Sequence, residues 1–336
     1  MIARREMLAL TALVGFAPRT YAQTLAAVSP DALGRTLLGE LPDALRRDFP
    51  ATLGLRVTRQ GGVLLDYRRA DVAPDDRFRL YSITKSVLAA LVGIALDMRL
   101  LPSLDRTLAS YFPEIDLSAA DPRARQVSIR HLLTMTSGWD TAGPPGLPTP
   151  PAVTTSGLFR RMETDPGAVF SYDNNASNML GILLARAVGE PLETFAEKVL
   201  FKPLGIESYG WRKTPDGFAA GSGGLDLSIE ALTRFGAFVM QGGVWNGRRI
   251  VGKDYMDAML SRQVAVNAQD GLDYGYLWFV QKTPDGRHES FIAQGFGGQA
   301  LHLVPDLGLI VATTTEPGDK ASTRFIRGAI LPAMRG

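Results

Sequence analysis

The chain contains no cysteine. That excludes disulfide staples, thiolate metal sites and a cysteine nucleophile together. Histidine is also scarce: only His131, His288 and His302 carry an imidazole. No His-Glu-x-x-His pair or clustered His/Asp set occurs, so the reading is of a protein with no metal and no other cofactor. No Gly-x-Ser-x-Gly turn is available to offer a serine to a histidine. His131, within Ile129-Arg130-His131-Leu132-Leu133, reads as the start of a structural helix. Charge of one sign is lacking too. The formal excess is +2, and Arg4, Arg5 and Arg19 against Glu6 account for it. A chain otherwise near neutrality offers no basic surface for nucleic acid. Gly221-Ser222-Gly223-Gly224 lacks the strand-then-helix context of a phosphate loop.

What is present describes an ordinary globular protein: 336 residues, 46% hydrophobic and 21% charged. That length suits two lobes sharing a core. Residues 1–22 read as an export signal, with Arg4-Arg5 as the positive start, residues 7–17 as a short apolar stretch and Thr20-Tyr21-Ala22 before the cleavage point. Arg4-Arg5-Glu6-Met7-Leu8 also resembles a twin-arginine signal. No later apolar stretch has the length and context of a membrane span. The expectation is therefore a periplasmic or secreted protein, soluble once the signal is removed.

A helix is expected over residues 30–47, then strands over 52–60 and 63–69, joined at Gly61-Gly62 by a two-residue hairpin. Residues from Ser82 to about 264 read as helices, loops and turns. Strands follow over 274–282, 288–293, 299–304 and 309–314, with Pro305-Asp306 and Gly308 turning the last pair. A helix over 320–334 closes the chain. The fold class is thus α+β: an antiparallel sheet flanked by N- and C-terminal helices, with an inserted, mainly helical lobe. The boundaries are a sheet lobe of residues 23–80 and 265–336, and a helical lobe of 81–264. Residues 142–152 are Pro-rich and read as a stiff surface loop.

Ser82-Ile83-Thr84-Lys85 carries the chemistry. It opens a helix whose next residues, including Val87, Leu88, Leu91, Val92, Ile94 and Leu96, are apolar nearly all round, and such a helix is buried. The i,i+3 spacing places Ser82 and Lys85 on one face. Partial desolvation there disfavours the charged lysine and lets it act as a base near neutral pH. Tyr172-Asp173-Asn174 is the second element. A tyrosine near a cationic lysine can have its phenolate stabilised and pass protons to a leaving group, and Asn174 can donate to a substrate carbonyl. The third is Gly295-Phe296-Gly297 within Ala293-Gln294-Gly295-Phe296-Gly297-Gly298-Gln299, where glycines on a late strand let a ligand approach the main chain. Each element alone has a structural alternative: an N-cap serine with a surface lysine, a packed loop tyrosine, a plain strand bulge.

Together and in this order, these motifs resemble the serine β-lactamase and penicillin-binding protein superfamily, whose members carry Ser-x-x-Lys, Tyr-x-Asn and a Lys-Thr-Gly-like strand. The resemblance is greatest to class C-like esterases and amidases, such as the 6-aminohexanoate-dimer hydrolases. Residues 128–138, Pro203-Leu204-Gly205-Ile206 and Gly223-Gly224-Leu225 continue it. It implies Ser82 as the acylated nucleophile, Lys85 as the base and Tyr172 as the proton relay. Asn174, Gly295, Phe296 and Gly297 line the substrate, and the Phe296 N–H is the second oxyanion donor. The chain departs from the family where Ala293-Gln294-Gly295 replaces the cationic strand motif, which favours esters or amides over β-lactams. A small-molecule ester, amide or peptide is then the expected partner. The alternatives are a β-lactamase or D-alanyl-D-alanine carboxypeptidase, and a non-catalytic sensor of peptidoglycan fragments.

Overall fold

The structure, a computed structural model, describes residues 30–141, 157–317 and 325–333. The expected export signal and the Pro-rich loop lie outside the described residues. Helix α1 spans Pro30–Asp48. Strands β1 (Thr52–Arg59) and β2 (Gly62–Arg68) form the hairpin. Its two-residue turn is Gln60-Gly61, one position earlier than expected, because Arg59 pairs with Gly62. Both turn residues are left-handed, with φ of 50° and 82°, as a turn that follows the strand twist requires. The Gln60 N–H donates to the Gly308 carbonyl at 2.8 Å, which holds a non-glycine residue in that conformation.

The middle of the chain carries β3 (Phe78–Arg79), α2 (Ile83–Asp97), α3 (Ile129–Leu133) and α4 (Asn174–Val188). Then come β4 (Tyr209–Trp211), β5 (Leu225–Leu227), α5 (Ile229–Met240) and a ribbon of β6 (Val244–Trp245) with β7 (Arg248–Arg249). β3, β5 and β4 pair as a small sheet. The C-terminal strands are β8 (Val264–Asn267), β9 (Leu272–Tyr274), β10 (Phe279–Lys282), β11 (Glu289–Gln294), β12 (Ala300–Val304) and β13 (Leu309–Thr315).

These six strands and the N-terminal hairpin make one eight-stranded sheet, ordered β2-β1-β13-β12-β11-β10-β9-β8. All its pairings are antiparallel. The strand expected over residues 274–282 is instead two strands that fold back on each other, with Tyr274 opposite Phe279. Between them Leu277 turns left-handed at φ 57°. Its N–H goes to the Leu133 carbonyl at 2.9 Å, and the Tyr276 N–H goes to the Met259 carbonyl at 2.9 Å. Partners from the helical region thus take the main-chain bonds a continuous strand would have used. The end of the chain is helical over the described residues 325–333.

Alternate residues of the central strands serve opposite faces. Leu55, Val57, Ala300, Val304 and Val311 pack with Leu41 and Leu45 of α1 and with Ile326 and Ile330. Leu301, Leu303, Ile310 and Ala312 face the larger core that contains α2, α4 and α5. Helix α2 lies at its centre, buried continuously from Ile83 to Ala95. A helix apolar on all sides has nowhere else to go. Its N-terminus, and therefore Ser82, lies near the end of β11, where Gly295 approaches the Leu80 carbonyl.

Candidate active site

Ser82 is the N-cap residue of α2, yet its side chain makes no capping hydrogen bond. The hydroxyl is thus free for other partners. The residue before it, Tyr81, is left-handed at φ 48°, a conformation that costs a non-glycine residue about 1–3 kcal/mol. The surroundings hold it there. Leu80 is fully buried and its N–H donates to the Leu225 carbonyl at 2.9 Å, and the Thr84 N–H donates back to the Tyr81 carbonyl at 3.0 Å. The Thr84 hydroxyl accepts from the Leu225 N–H at 3.1 Å, which ties α2 to the small sheet.

Lys85, one helical turn on, is 1% exposed. Its Nζ donates to Ser82 Oγ at 2.9 Å, to Asn174 Oδ1 at 2.9 Å and to the Ser222 carbonyl at 2.6 Å. Burial lowers its pKa from the usual 10.5 to about 7, with the charge of Asp173 opposing the fall. At neutral pH a large fraction of Lys85 is therefore the free amine, which can accept a proton. The Tyr172 ring lies 4.9 Å from Nζ, and its hydroxyl is hydrogen-bonded to Ser82. Burial pushes its pKa up to about 12. This corrects the expectation of a stabilised phenolate: desolvation wins, and Tyr172 keeps its proton at neutral pH.

Asp173 and Asn174 begin α4. Asp173 caps the helix by accepting from the Asn175 N–H at 2.8 Å. It also pairs with Arg160 at 2.5 Å, with 3% and 15% of the two side chains exposed. Arg160 also donates to the Asp140 carbonyl and lies over the Trp139 ring. Asn174 is on the surface of the site with its carbonyl oxygen on Lys85. That contact with the lysine fixes which way the side-chain amide is turned.

Gly295 follows the strand that ends at Gln294 and lies directly against the turn before Ser82. A Cβ there would come within 2.3 Å of the Leu80 carbonyl oxygen, so only glycine allows the approach. Phe296 follows, with its ring 5.6 Å from the Tyr81 ring. The loop is braced by Gln299, itself 1% exposed. Its side chain accepts from the Thr315 N–H at 3.1 Å and donates to the Thr315 carbonyl at 2.8 Å. The Thr315 hydroxyl reaches the Gly297 carbonyl, and the Gly295 N–H reaches the Gln299 carbonyl at 2.8 Å.

Ser82, Lys85, Tyr172 and Asn174 therefore meet around one nitrogen, and residues 295–297 lie against the turn that carries the serine. Four contributors to this geometry were not read from the sequence as site residues: Asp173, Arg160, Gln299 and Ser222. The glycine-rich segment at 221–224 is not idle. A Cβ on Gly221 would come within 2.4 Å of the Ser177 carbonyl oxygen. That close passage along α4 delivers the Ser222 carbonyl to Lys85, while its N–H donates to Asn178 Oδ1 at 2.9 Å. Density of glycine was the available clue. His131 caps its own helix, its Nδ1 accepting from the Ser128 N–H at 3.2 Å. Among the described residues no group of His, Asp and Glu could hold a metal ion.

The profile of the family described as Beta-lactamase matches residues 44–329. The 6-aminohexanoate-dimer hydrolase of Paenarthrobacter ureafaciens is 27% identical over 232 residues, 61% of this chain and 56% of that protein. Esterase EstB of Burkholderia gladioli is 29% identical over 191 residues, 48% of each chain. The chain thus spans about half the length of these two relatives. Among solved structures, EstCE1, a hydrolase with promiscuous acyltransferase activity, superposes with a TM-score of 0.73 at 18% identity. The superposition covers 92% of this chain and all of that one, and at that identity it speaks for the fold.

Proposed function

The chain belongs to the beta-lactamase family, and we propose that it is a serine hydrolase that cleaves carboxylic ester or amide bonds through an acyl-enzyme on Ser82. The observation that carries this reading is the buried Lys85 amine, 2.9 Å from Ser82 Oγ and with a pKa of about 7. Neutral Lys85 takes the hydroxyl proton as Ser82 Oγ attacks the carbonyl carbon. The main-chain N–H groups of Ser82 and Phe296 hold the oxyanion. The Tyr172 phenol gives its proton to the departing alcohol or amine and regains one from the Lys85 ammonium. Water then attacks the acyl-enzyme as Lys85 takes its proton, and Ser82 leaves with a proton returned through the same pair.

Preference for esters or amides over β-lactams is supported by Ala293-Gln294-Gly295, which places no cation on the strand beside the nucleophile. The composition of residues 1–22 supports export to the periplasm or beyond. The test of the activity is a panel of p-nitrophenyl esters, linear amide oligomers and a chromogenic cephalosporin, run with Ser82→Ala beside the parent. Ester or amide turnover, abolished in Ser82→Ala together with fluorophosphonate labelling, is the expected result. Labelling retained at another serine would refute the assignment, and efficient cephalosporin turnover would favour a β-lactamase. A chain that binds but turns over nothing is a sensor.

A further inference from the structure

We propose that Tyr81 and Phe296 form the wall that receives the acyl chain, and that Arg79 at its outer end takes a carboxylate on that chain. The preferred substrates are then esters or amides of acids that carry a second, distal anionic group. The inference rests on the acyl-enzyme reading above and deepens it.

Position on the chain makes the first argument. Tyr81 immediately precedes the nucleophile, and Phe296 carries the second oxyanion N–H. Their rings meet edge to face at 5.6 Å, an aromatic pair beside the carbon that is attacked. Phe296 is 55% exposed. A large ring left open beside a nucleophile suits contact with an apolar substrate group. A carbonyl held by the two N–H groups has two arms. The leaving group must meet the Tyr172 phenol, whose ring lies on the Lys85 side at 4.9 Å. The acyl chain is the arm left for the Tyr81–Phe296 wall.

Arg79 supplies the charge. Its guanidinium carbon sits 4.5 Å over the Tyr81 ring. Across the β3–β5 pair it faces Asp226, the carboxylate that would ordinarily neutralise it. Asp226 instead pairs with Arg212 at 3.2 Å, and Arg77 spends its guanidinium on the Tyr209 carbonyl at 2.6 Å. Among the described residues no carboxylate forms an ion pair with Arg79. A guanidinium held over a ring still has N–H donors to offer, in the fork that matches a carboxylate. The strand beside the nucleophile offers no cation in Ala293-Gln294-Gly295, and Arg79 provides one at the far end of the aromatic pair.

The test compares two substrates with the same leaving group and acyl length: the p-nitrophenyl monoester of adipic acid, and the same compound with its free acid capped as a methyl ester. With the purified protein, kcat/KM is expected to favour the free acid by about 3- to 10-fold, as for a partly solvated charge pair. Salt at about 0.5 M should shrink that preference. In Arg79→Gln the acid is expected to lose that factor relative to the capped ester, and Arg79→Lys should keep part of it. Unchanged thermal midpoints check that the variants fold. Equal rates for the two esters in the parent, or a preference that survives Arg79→Gln, would overturn the proposal. Turnover of the capped ester alone sinks the anionic subsite and leaves the acyl-enzyme reading standing, whereas turnover of neither sinks both.

Discussion

Gln299 pairs with Thr315 as though its side-chain amide were one more residue of a strand, giving an N–H to the main-chain carbonyl and taking one in return. Because the Thr315 hydroxyl also holds the Gly297 carbonyl, this pair sets the loop that presents the Phe296 N–H. Gln299→Ala should free the loop and misplace that proposed oxyanion donor. Loss of one oxyanion donor costs about 10²–10³-fold in kcat, so a fall approaching 10²-fold is expected, with KM little changed. A fall confined to KM would remove Gln299 from this role.

The pH dependence follows from Lys85. Its folded pKa lies below the ordinary 10.5, at about 7, so the proton-accepting amine gains population as pH rises through 7. On a p-nitrophenyl ester, kcat/KM should climb about tenfold per unit below that point and level off above it. Tyr172, pushed up to about 12, keeps its proton throughout that plateau. Lys85→Arg holds a permanent charge and should show neither the rise nor the activity. An inflection near 10 would mean that the lysine is solvated like any other.

Arg160 and Asp173 tune that inflection from opposite sides. The Asp173 charge raises the Lys85 pKa, and Arg160 shields it at 2.5 Å. Arg160→Met should therefore move the acid limb to higher pH, and Asp173→Asn should move it lower. Arg160→Met leaves the buried Asp173 carboxylate without its partner and should lose about 3 kcal/mol of stability, seen in denaturant melts, whereas Asp173→Asn leaves a half-buried Arg160 and should lose less. Shifts in the same direction would mean that the pair acts on Lys85 only through structure.

Tyr172→Phe separates proton donation from nucleophile activation. Alkyl esters and amides need a proton on the leaving group, whereas p-nitrophenolate departs without one. The variant should lose about 10²–10⁴-fold on the first kind and distinctly less on the second. Equal losses on both would take Tyr172 out of the acid role.

Much of this was legible in the residues alone, and the reason is locality. Ser82 and Lys85 share a face because helix geometry sets the spacing of i and i+3, and the continuous apolar run after them leaves α2 no option but burial. Alternating apolar residues and paired turn glycines placed most strands of the sheet. Errors fell where distant parts of the chain compete for the main chain. Residues 274–282 have the composition of one strand, but carbonyls of Leu133 and Met259 capture two of their N–H groups and split it. The hairpin slipped by one residue because Gly308, far along the chain, steadies Gln60.

The chemistry divides in the same way. The sequence by itself determined which class of reaction is proposed, since a serine, a lysine one turn on and a tyrosine in a second motif are residue types whose spacing and order survive any detail of packing. Tertiary structure alone decided how they are poised. The Lys85 pKa depends on complete burial, on a main-chain carbonyl from Ser222 and on a carboxylate held by Arg160. Tyr172 stays a phenol because desolvation outweighs its neighbours, and Arg212 rather than Arg79 is the arginine that pairs with Asp226. Electrostatic energies depend on distance and solvent exclusion in three dimensions, and neither is written in the order of the residues.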